Sequence, residues 1–136
     1  MIDFSEHFND SYERVTRDSD KFYDEFYKIF FSSSEEIPIL FKNVKMPEQK
    51  LMLKESLIFV ISFFVSKKAD NYLCDIAILH HDKLKIQSHY YELWINSMIE
   101  AVKKTDGKFD SQTEMAWRIT LAPGIEFMKH YSRSLA

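Results

Sequence analysis

Apolar side chains recur along most of this chain at intervals of three and four residues, which is the period of one face of an α-helix. Near the N-terminus, Phe4, Phe8, Tyr12 and Val15 show this spacing. Clusters of Ser, Asp and Lys interrupt the pattern and divide it into segments. The pattern predicts an all-α chain without strands, with seven helices of which six are long: 3–17, 21–31, 35–40, 47–66, 72–81, 88–105 and 111–134.

Residues at two of these boundaries support the division. Asp18, Ser19 and Asp20 are good N-cap residues for the second helix. Pro47 can open the fourth helix, because the first turn of a helix does not need the missing N–H. The fourth helix is so rich in apolar residues that we expect it to be central in the fold rather than peripheral.

The composition favours one α-helical domain spanning residues 1–136. The chain contains only two glycines and three prolines, which is poor material for the many turns of an all-β protein. It contains 12 Phe, seven Tyr and two Trp. So many rings predict either a thick core or a core that also encloses a flat apolar group.

The net charge is -3, and acidic and basic residues are mixed along the chain. No basic block is present that would favour nucleic-acid binding. The most apolar run, LIFVISFFV at 57–65, is well short of the ~18 residues that suggest a membrane span. The N-terminus does not resemble a signal peptide. Cys74 is the single cysteine, so an internal disulfide is excluded. We expect a reduced, cytoplasmic protein that binds neither nucleic acid nor membrane.

Two adjacent histidines in ILHHDKLKI, at 78–86, differ in helical phase. Leu73, Ile76, Ala77 and His80 fall at i, i+3, i+4 and i+7, so they share one face that is otherwise apolar. His81 lies about 100° further round the helix. The spacing therefore predicts that His80 points inward and that His81 faces solvent.

An inward histidine has several possible roles. It can be a core residue whose ring nitrogens are hydrogen-bonded to neighbours. Zinc is disfavoured, because it needs three or four ligands and no second His, Cys, Asp or Glu recurs at metal spacing around His80. A single protein ligand suits haem iron, because the porphyrin supplies the other nitrogens. Periodicity alone leaves the core role and the haem role open.

Polar groups for an opposite wall lie on two other predicted helices. Gln49, Leu53 and Leu57 form a stripe in which an amide precedes aliphatic residues. Tyr27 carries a hydroxyl on an otherwise apolar helix. Each also has an ordinary structural explanation, because Gln49 can be an exposed first-turn residue and Tyr27 an interior tyrosine with a satisfied hydroxyl.

Several segments, taken together in order, resemble bacterial single-domain globins and the globin domain of flavohaemoglobins. They are FYKIFF, Phe41 in ILFK, MPEQKLML, LHHDKLKI, HYYELW and MAWRITLAPGIEFM. The resemblance covers nearly the whole chain. It implies the globin fold, a three-over-three helical sandwich, with haem b (iron protoporphyrin IX) as the cofactor. The short distance from Phe41 to Gln49 implies that no separate helix lies between Phe41 and the central helix.

The resemblance also implies a role for each matching residue. His80 corresponds to the axial iron ligand, and Phe41 to the ring that packs on the porphyrin. Tyr27 and Gln49 correspond to the distal residues that donate hydrogen bonds to bound dioxygen, and Leu53 to the aliphatic residue beside them. Three further residues correspond to positions below the haem or near the axial histidine: Leu84, Ile86 and Tyr90.

The implied function is reversible binding of dioxygen, and also of NO or CO, at a pentacoordinate iron, for oxygen storage or delivery. One alternative is an NO dioxygenase that works with a separate reductase. Another is a gas or redox sensor that acts through a partner. The sequence ends at Ala136 without a flavin domain, and Glu126 lies about two turns before the place of the flavohaemoglobin glutamate. Both a monomer and a homodimer are compatible with the sequence.

Overall fold

The protein is all-helical in a computed structural model that describes residues 1–69, 71–83 and 86–135. Over these residues no strand occurs, and no helix is both long and apolar enough to cross a membrane. The all-α prediction is confirmed. The α-helices in chain order are α1 (Phe4–Thr16), α2 (Ser19–Ser32), α3 (Glu36–Leu40), α4 (Met46–Ser66), α5 (Asn71–Ile78), α6 (Ser88–Thr105) and α7 (Ser111–Leu135).

Short polar residues begin the first two helices, and the cap of the second helix was predicted. The Asp3 carboxylate accepts hydrogen bonds from the N–H groups of Ser5 and Glu6, which begins α1. Asp18 accepts a hydrogen bond from the N–H of Lys21 and begins α2. Every residue from 41 to 45 is described, and this stretch forms turns and extended chain rather than a helix. The predicted absence of a helix between Phe41 and α4 is therefore confirmed.

The fifth helix differs from the prediction, which continued α-helix to residue 81. In the structure α5 ends at Ile78, and a π-helical turn follows at Leu79–Lys83. Beyond it, the N–H of Ile86 donates to the carbonyl of His80 over 2.8 Å. Short π-helical turns are rare and are frequent at functional sites. His80 therefore lies in irregular backbone rather than in a regular helix.

The residues divide into two compact units. Unit 1 comprises Met1–Val44 and Leu93–Ile119, and unit 2 comprises Lys45–Glu92 and the described residues from Thr120 onward. Unit 1 contains a buried polar network around Asp106, which accepts hydrogen bonds from Ser11 Oγ at 2.7 Å and from Arg14 Nε at 2.6 Å. Trp117 Nε1 donates to the Ser11 hydroxyl over 2.8 Å. This network joins α1, α7 and the chain that follows α6.

Unit 2 is packed around one face of α4, where Leu53, Leu57 and Val60 are buried. Gly124 of α7 lies directly against Val60. A Cβ atom at position 124 would be 2.7 Å from Val60 Cγ1, closer than real Cβ atoms approach. Glycine therefore permits the close contact of α7 with α4 at this point.

The expectation that α4 is central proved correct for only one of its faces. On the opposite face Leu51, Ile58 and Val65 are exposed to solvent, and Met52 is exposed beside them. Apolar composition is therefore not matched by burial in this helix.

Candidate functional site

The predicted site residues are distributed over both units. Tyr27 and Phe41 belong to unit 1. The remaining described members belong to unit 2: Gln49, Leu53, His80, Ile86 and Tyr90. Leu84, which was also predicted to be a site residue, lies outside the described residues.

Helical phase separated the two histidines correctly. Leu73 and Ala77 on the inner face of α5 are buried, and His80 continues that face as a half-buried residue. His81 is exposed. The prediction that His80 points inward and His81 outward is confirmed.

The imidazole of His80 is held neutral and in a defined orientation. Burial lowers the pKa of His80 from 6.5 to about 4, because the charged form loses its hydration. Its Nδ1 is 3.0 Å from the hydroxyl oxygen of Tyr91. Among the described residues, the hydrogen bonds of this ring involve Nδ1 and leave Nε2 uncommitted. A neutral imidazole with one anchored nitrogen and one uncommitted nitrogen has the form of a metal-ligating histidine.

The anchoring tyrosine is a residue that sequence reasoning missed. The resemblance indicated Tyr90 as the tyrosine beside the histidine, whereas the structure records the hydrogen bond with Tyr91. Both tyrosines are buried near the start of α6. Burial raises the pKa of Tyr91 to about 12, so its hydroxyl stays protonated. The available signal was the pair of adjacent tyrosines in HYYELW, which phase alone did not resolve.

The stripe predicted on α4 is present. Leu53 and Leu57 are buried, and Gln49 is half-buried one turn earlier. The backbone N–H of Gln49 donates to the Lys45 carbonyl over 3.0 Å, so Gln49 is fixed in the first turn. An amide side chain thus precedes two buried aliphatic residues on the same face of the helix.

Tyr27 and Phe41 belong to an aromatic cluster of unit 1. The ring of Tyr27, which is only 4% exposed, lies edge-on to Phe41 with centroids 6.2 Å apart. Phe31 contacts both rings, at centroid distances of 5.5 Å from Tyr27 and 5.4 Å from Phe41. Phe26 also packs edge-on against Tyr27, with ring centroids 5.0 Å apart. Tyr27 is therefore a buried phenol surrounded by phenylalanine rings.

The low pKa of His80 predicts a loss of stability in acid. In the unfolded chain this imidazole takes up a proton near pH 6.5, whereas in the folded, ligand-free protein it does so only near pH 4. Its contribution to the free energy of unfolding is therefore intact above pH 6.5 and declines by about 1.4 kcal/mol per pH unit towards pH 4. Urea unfolding at a series of pH values measures this slope. His80→Gln should reduce the slope in this window by about 1.4 kcal/mol per pH unit, which is the contribution of one proton. An unchanged slope in this variant would contradict the prediction.

Comparison with known proteins identifies the fold. No protein-family model and no curated protein matches this chain. Among solved structures, a protein of Pseudomonas aeruginosa PAO1, described as structurally highly homologous to a human haemoglobin, superposes with a TM-score of 0.87. The two chains are 28% identical, over 96% of this chain and 98% of the other. This chain has the globin fold.

Proposed function

We propose that this protein is a haem-binding globin in which His80 is the axial iron ligand. The globin fold implies a haem cofactor, and the observation that carries the assignment is the state of His80. Its ring is neutral and anchored through Nδ1, and its Nε2 has no hydrogen-bond partner among the residues that the structure describes. When bound through such an imidazole, ferrous haem b supplies an iron atom that takes up dioxygen, NO or CO reversibly.

Tyr91 has a defined part in this assignment. If Nε2 of His80 is the ligating atom, Nδ1 carries the proton and donates to the Tyr91 hydroxyl oxygen. Because Tyr91 stays protonated, it is a neutral acceptor rather than a phenolate. A neutral acceptor orients the ring while leaving the imidazole less electron-rich than a carboxylate partner would. This arrangement favours reversible ligand binding over peroxidase-like chemistry.

On the ligand side, we assign the hydrogen-bond donors to Tyr27 and Gln49 on the strength of the resemblance. Bound dioxygen carries partial negative charge, and each hydrogen bond in a dry pocket contributes on the order of 1 kcal/mol. Two donors favour slow oxygen release, and therefore storage over rapid unloading. The remaining predicted residues are assigned to porphyrin contacts: Phe41, Leu53, Leu84, Ile86 and Tyr90.

An absorption spectrum of the purified protein tests the cofactor assignment. The protein should be reduced and exposed to CO, after reconstitution with haem b if it is purified without it. A strong haem band that shifts on CO addition is expected at a stoichiometry of one haem per chain. Absence of stoichiometric haem binding would contradict the assignment.

Replacing Tyr27 by phenylalanine tests the dioxygen function. Loss of one hydrogen bond of about 1 kcal/mol should speed dioxygen dissociation about fivefold. Flash photolysis or stopped-flow mixing measures the rate. Tyr23→Phe is a matched control, because Tyr23 is another buried tyrosine of α2 and its hydroxyl has no hydrogen-bond partner among the described residues. An unchanged dissociation rate in Tyr27→Phe would remove Tyr27 from the proposed role.

A further inference from the structure

The exposed face of α4 carries a regular apolar stripe, which we call the outer stripe: Leu51, Ile58 and Val65. These residues are seven apart, and their exposed fractions are 56%, 49% and 76%. At about 100° per residue they lie within about 40° of one another around the helix. The buried residues Leu53 and Leu57 lie on the other side of the same helix. Exposed apolar residues that repeat every seven positions on one helix face form a seam along which a second helix can pack.

Charged residues flank the outer stripe asymmetrically. Lys54 and Glu55 are both exposed, and they lie on opposite sides of the stripe, about 100° apart around the helix. Glu48, which is also exposed, falls on the same side as Glu55. The stripe therefore has one basic edge and one acidic edge.

This asymmetry determines which partner orientation is favourable. When two identical helices pair in parallel about a two-fold axis along their length, the left edge of one faces the right edge of the other. Glu55 then lies opposite Lys54 of the second helix at nearly the same height, and this contact occurs twice. In an antiparallel pair each edge meets its own copy, so that the basic edge faces a basic edge and the acidic edge faces an acidic edge. Opposite charges across an interface favour the first arrangement, and like charges disfavour the second.

We propose that the outer stripe of α4 docks against the outer stripe of a second copy of this chain, in parallel orientation. Leu51, Ile58 and Val65 each meet the same residue of the second copy, as in other isologous two-fold interfaces. The Lys54–Glu55 pairs fix the orientation. None of these residues is assigned to the haem site, so the proposed interface can be tested independently of the proposed haem function.

Sedimentation velocity of the full chain at increasing protein concentration tests this surface. A monomer–dimer equilibrium is expected, and Ile58→Glu should raise its dissociation constant by at least about tenfold, because two carboxylates would meet on the axis. Met115→Glu is the matched control, since Met115 is 51% exposed on α7 and lies outside the stripe. Circular dichroism should show unchanged helix content in both variants, because both positions are exposed.

Charge exchange tests the paired edges. Lys54→Glu places glutamate opposite Glu55 and should weaken the dimer, and adding Glu55→Lys to the same chain should restore it. The double variant has the net charge of the original protein, so Lys54→Glu combined with Glu13→Lys, which restores the net charge at an exposed residue of α1 instead, is the matched control and should stay weakened. Failure of the double variant to recover dimerisation would overturn the proposed edge pairing.

Disulfide trapping tests the orientation. In a Cys74→Ser background, Leu51→Cys and Val65→Cys should each cross-link to their own copy under mild oxidation. In an antiparallel dimer centred on Ile58, a cross-link would instead form only when Leu51→Cys and Val65→Cys chains are mixed. That result, a protein monomeric at every concentration, or a dimer insensitive to Ile58→Glu would each overturn the proposal.

Discussion

His80→Ala should abolish stoichiometric haem binding, whereas His81→Ala should leave the spectrum of the reduced, CO-treated protein unchanged. The two residues are adjacent and chemically identical, so the comparison isolates their environments. His80 is neutral, half-buried and hydrogen-bonded to Tyr91, and His81 is exposed. A single axial bond attaches the iron to the protein in a globin, and alanine cannot form it.

Added imidazole separates loss of the ligand from loss of the fold. His80→Ala leaves room for a small heterocycle, so imidazole in solution should restore part of the haem band. A variant that had lost its fold would not recover in this way. Retention of an unaltered spectrum by His80→Ala, or its loss in His81→Ala, would contradict the assignment of the axial ligand.

Arg14→Met should lower the free energy of unfolding by about 3 kcal/mol, because it leaves the buried Asp106 carboxylate without its charged partner. The Asp106 side chain is fully buried, and Arg14 Nε lies 2.6 Å from it. Burial alone would raise the pKa of Asp106, but hydrogen bonds from Arg14 and Ser11 bring that pKa below its ordinary value. The carboxylate is therefore charged in the folded protein and depends on its donors. Urea unfolding near neutral pH measures the change.

An exposed ion pair on the same helix provides the control. Arg17 pairs with Glu13 one turn away, with both side chains largely in solvent. Arg17→Met should therefore cost less than about 0.5 kcal/mol. Combining Arg14→Met with Asp106→Asn should recover part of the lost stability, because the uncompensated charge is removed. Equal effects of Arg14→Met and Arg17→Met would show that the network around Asp106 contributes little.

Local signals explain why the helices could be predicted from sequence. Caps such as Asp3 and Asp18 act over two or three residues, and the structure shows those hydrogen bonds. The buried face of α5 could be predicted because the apolar residues Leu73 and Ala77 lie on it at helical spacing. The hydrogen-bond network around Asp106 could not be predicted, because Ser11 and Asp106 are 95 residues apart in the chain and no local pattern connects them. The exposed face of α4 was missed because the apolar composition of a helix does not show which of its apolar residues are buried within the same chain.

The helical phase of α5 distinguished the half-buried His80 from the exposed His81, although both residues lie in the π-helical turn that follows this helix. The roles of the candidate site residues stay predictions that rest on the resemblance. Tyr91 was missed because the resemblance indicated its neighbour Tyr90, and residue type cannot separate two adjacent tyrosines. The π-helical turn at Leu79–Lys83 was missed as well. Nothing in the residue types of LHHDK distinguishes a π turn from an α turn. The aromatic surroundings of Tyr27 follow from α2 itself, whereas the contact with Phe41 depends on the turn after α3.

The contact between Val60 and Gly124 has a consequence for how this sequence can change over time. The two positions share a space that holds valine on one side and only a hydrogen atom on the other. A side chain gained at 124 is tolerated only when volume is lost at 60, so neither position drifts independently. In homologous chains, we expect larger residues at the equivalent of 124 to accompany alanine or glycine at the equivalent of 60. The combined volume of the two side chains at positions 60 and 124 is therefore limited, and we expect the two positions to vary together.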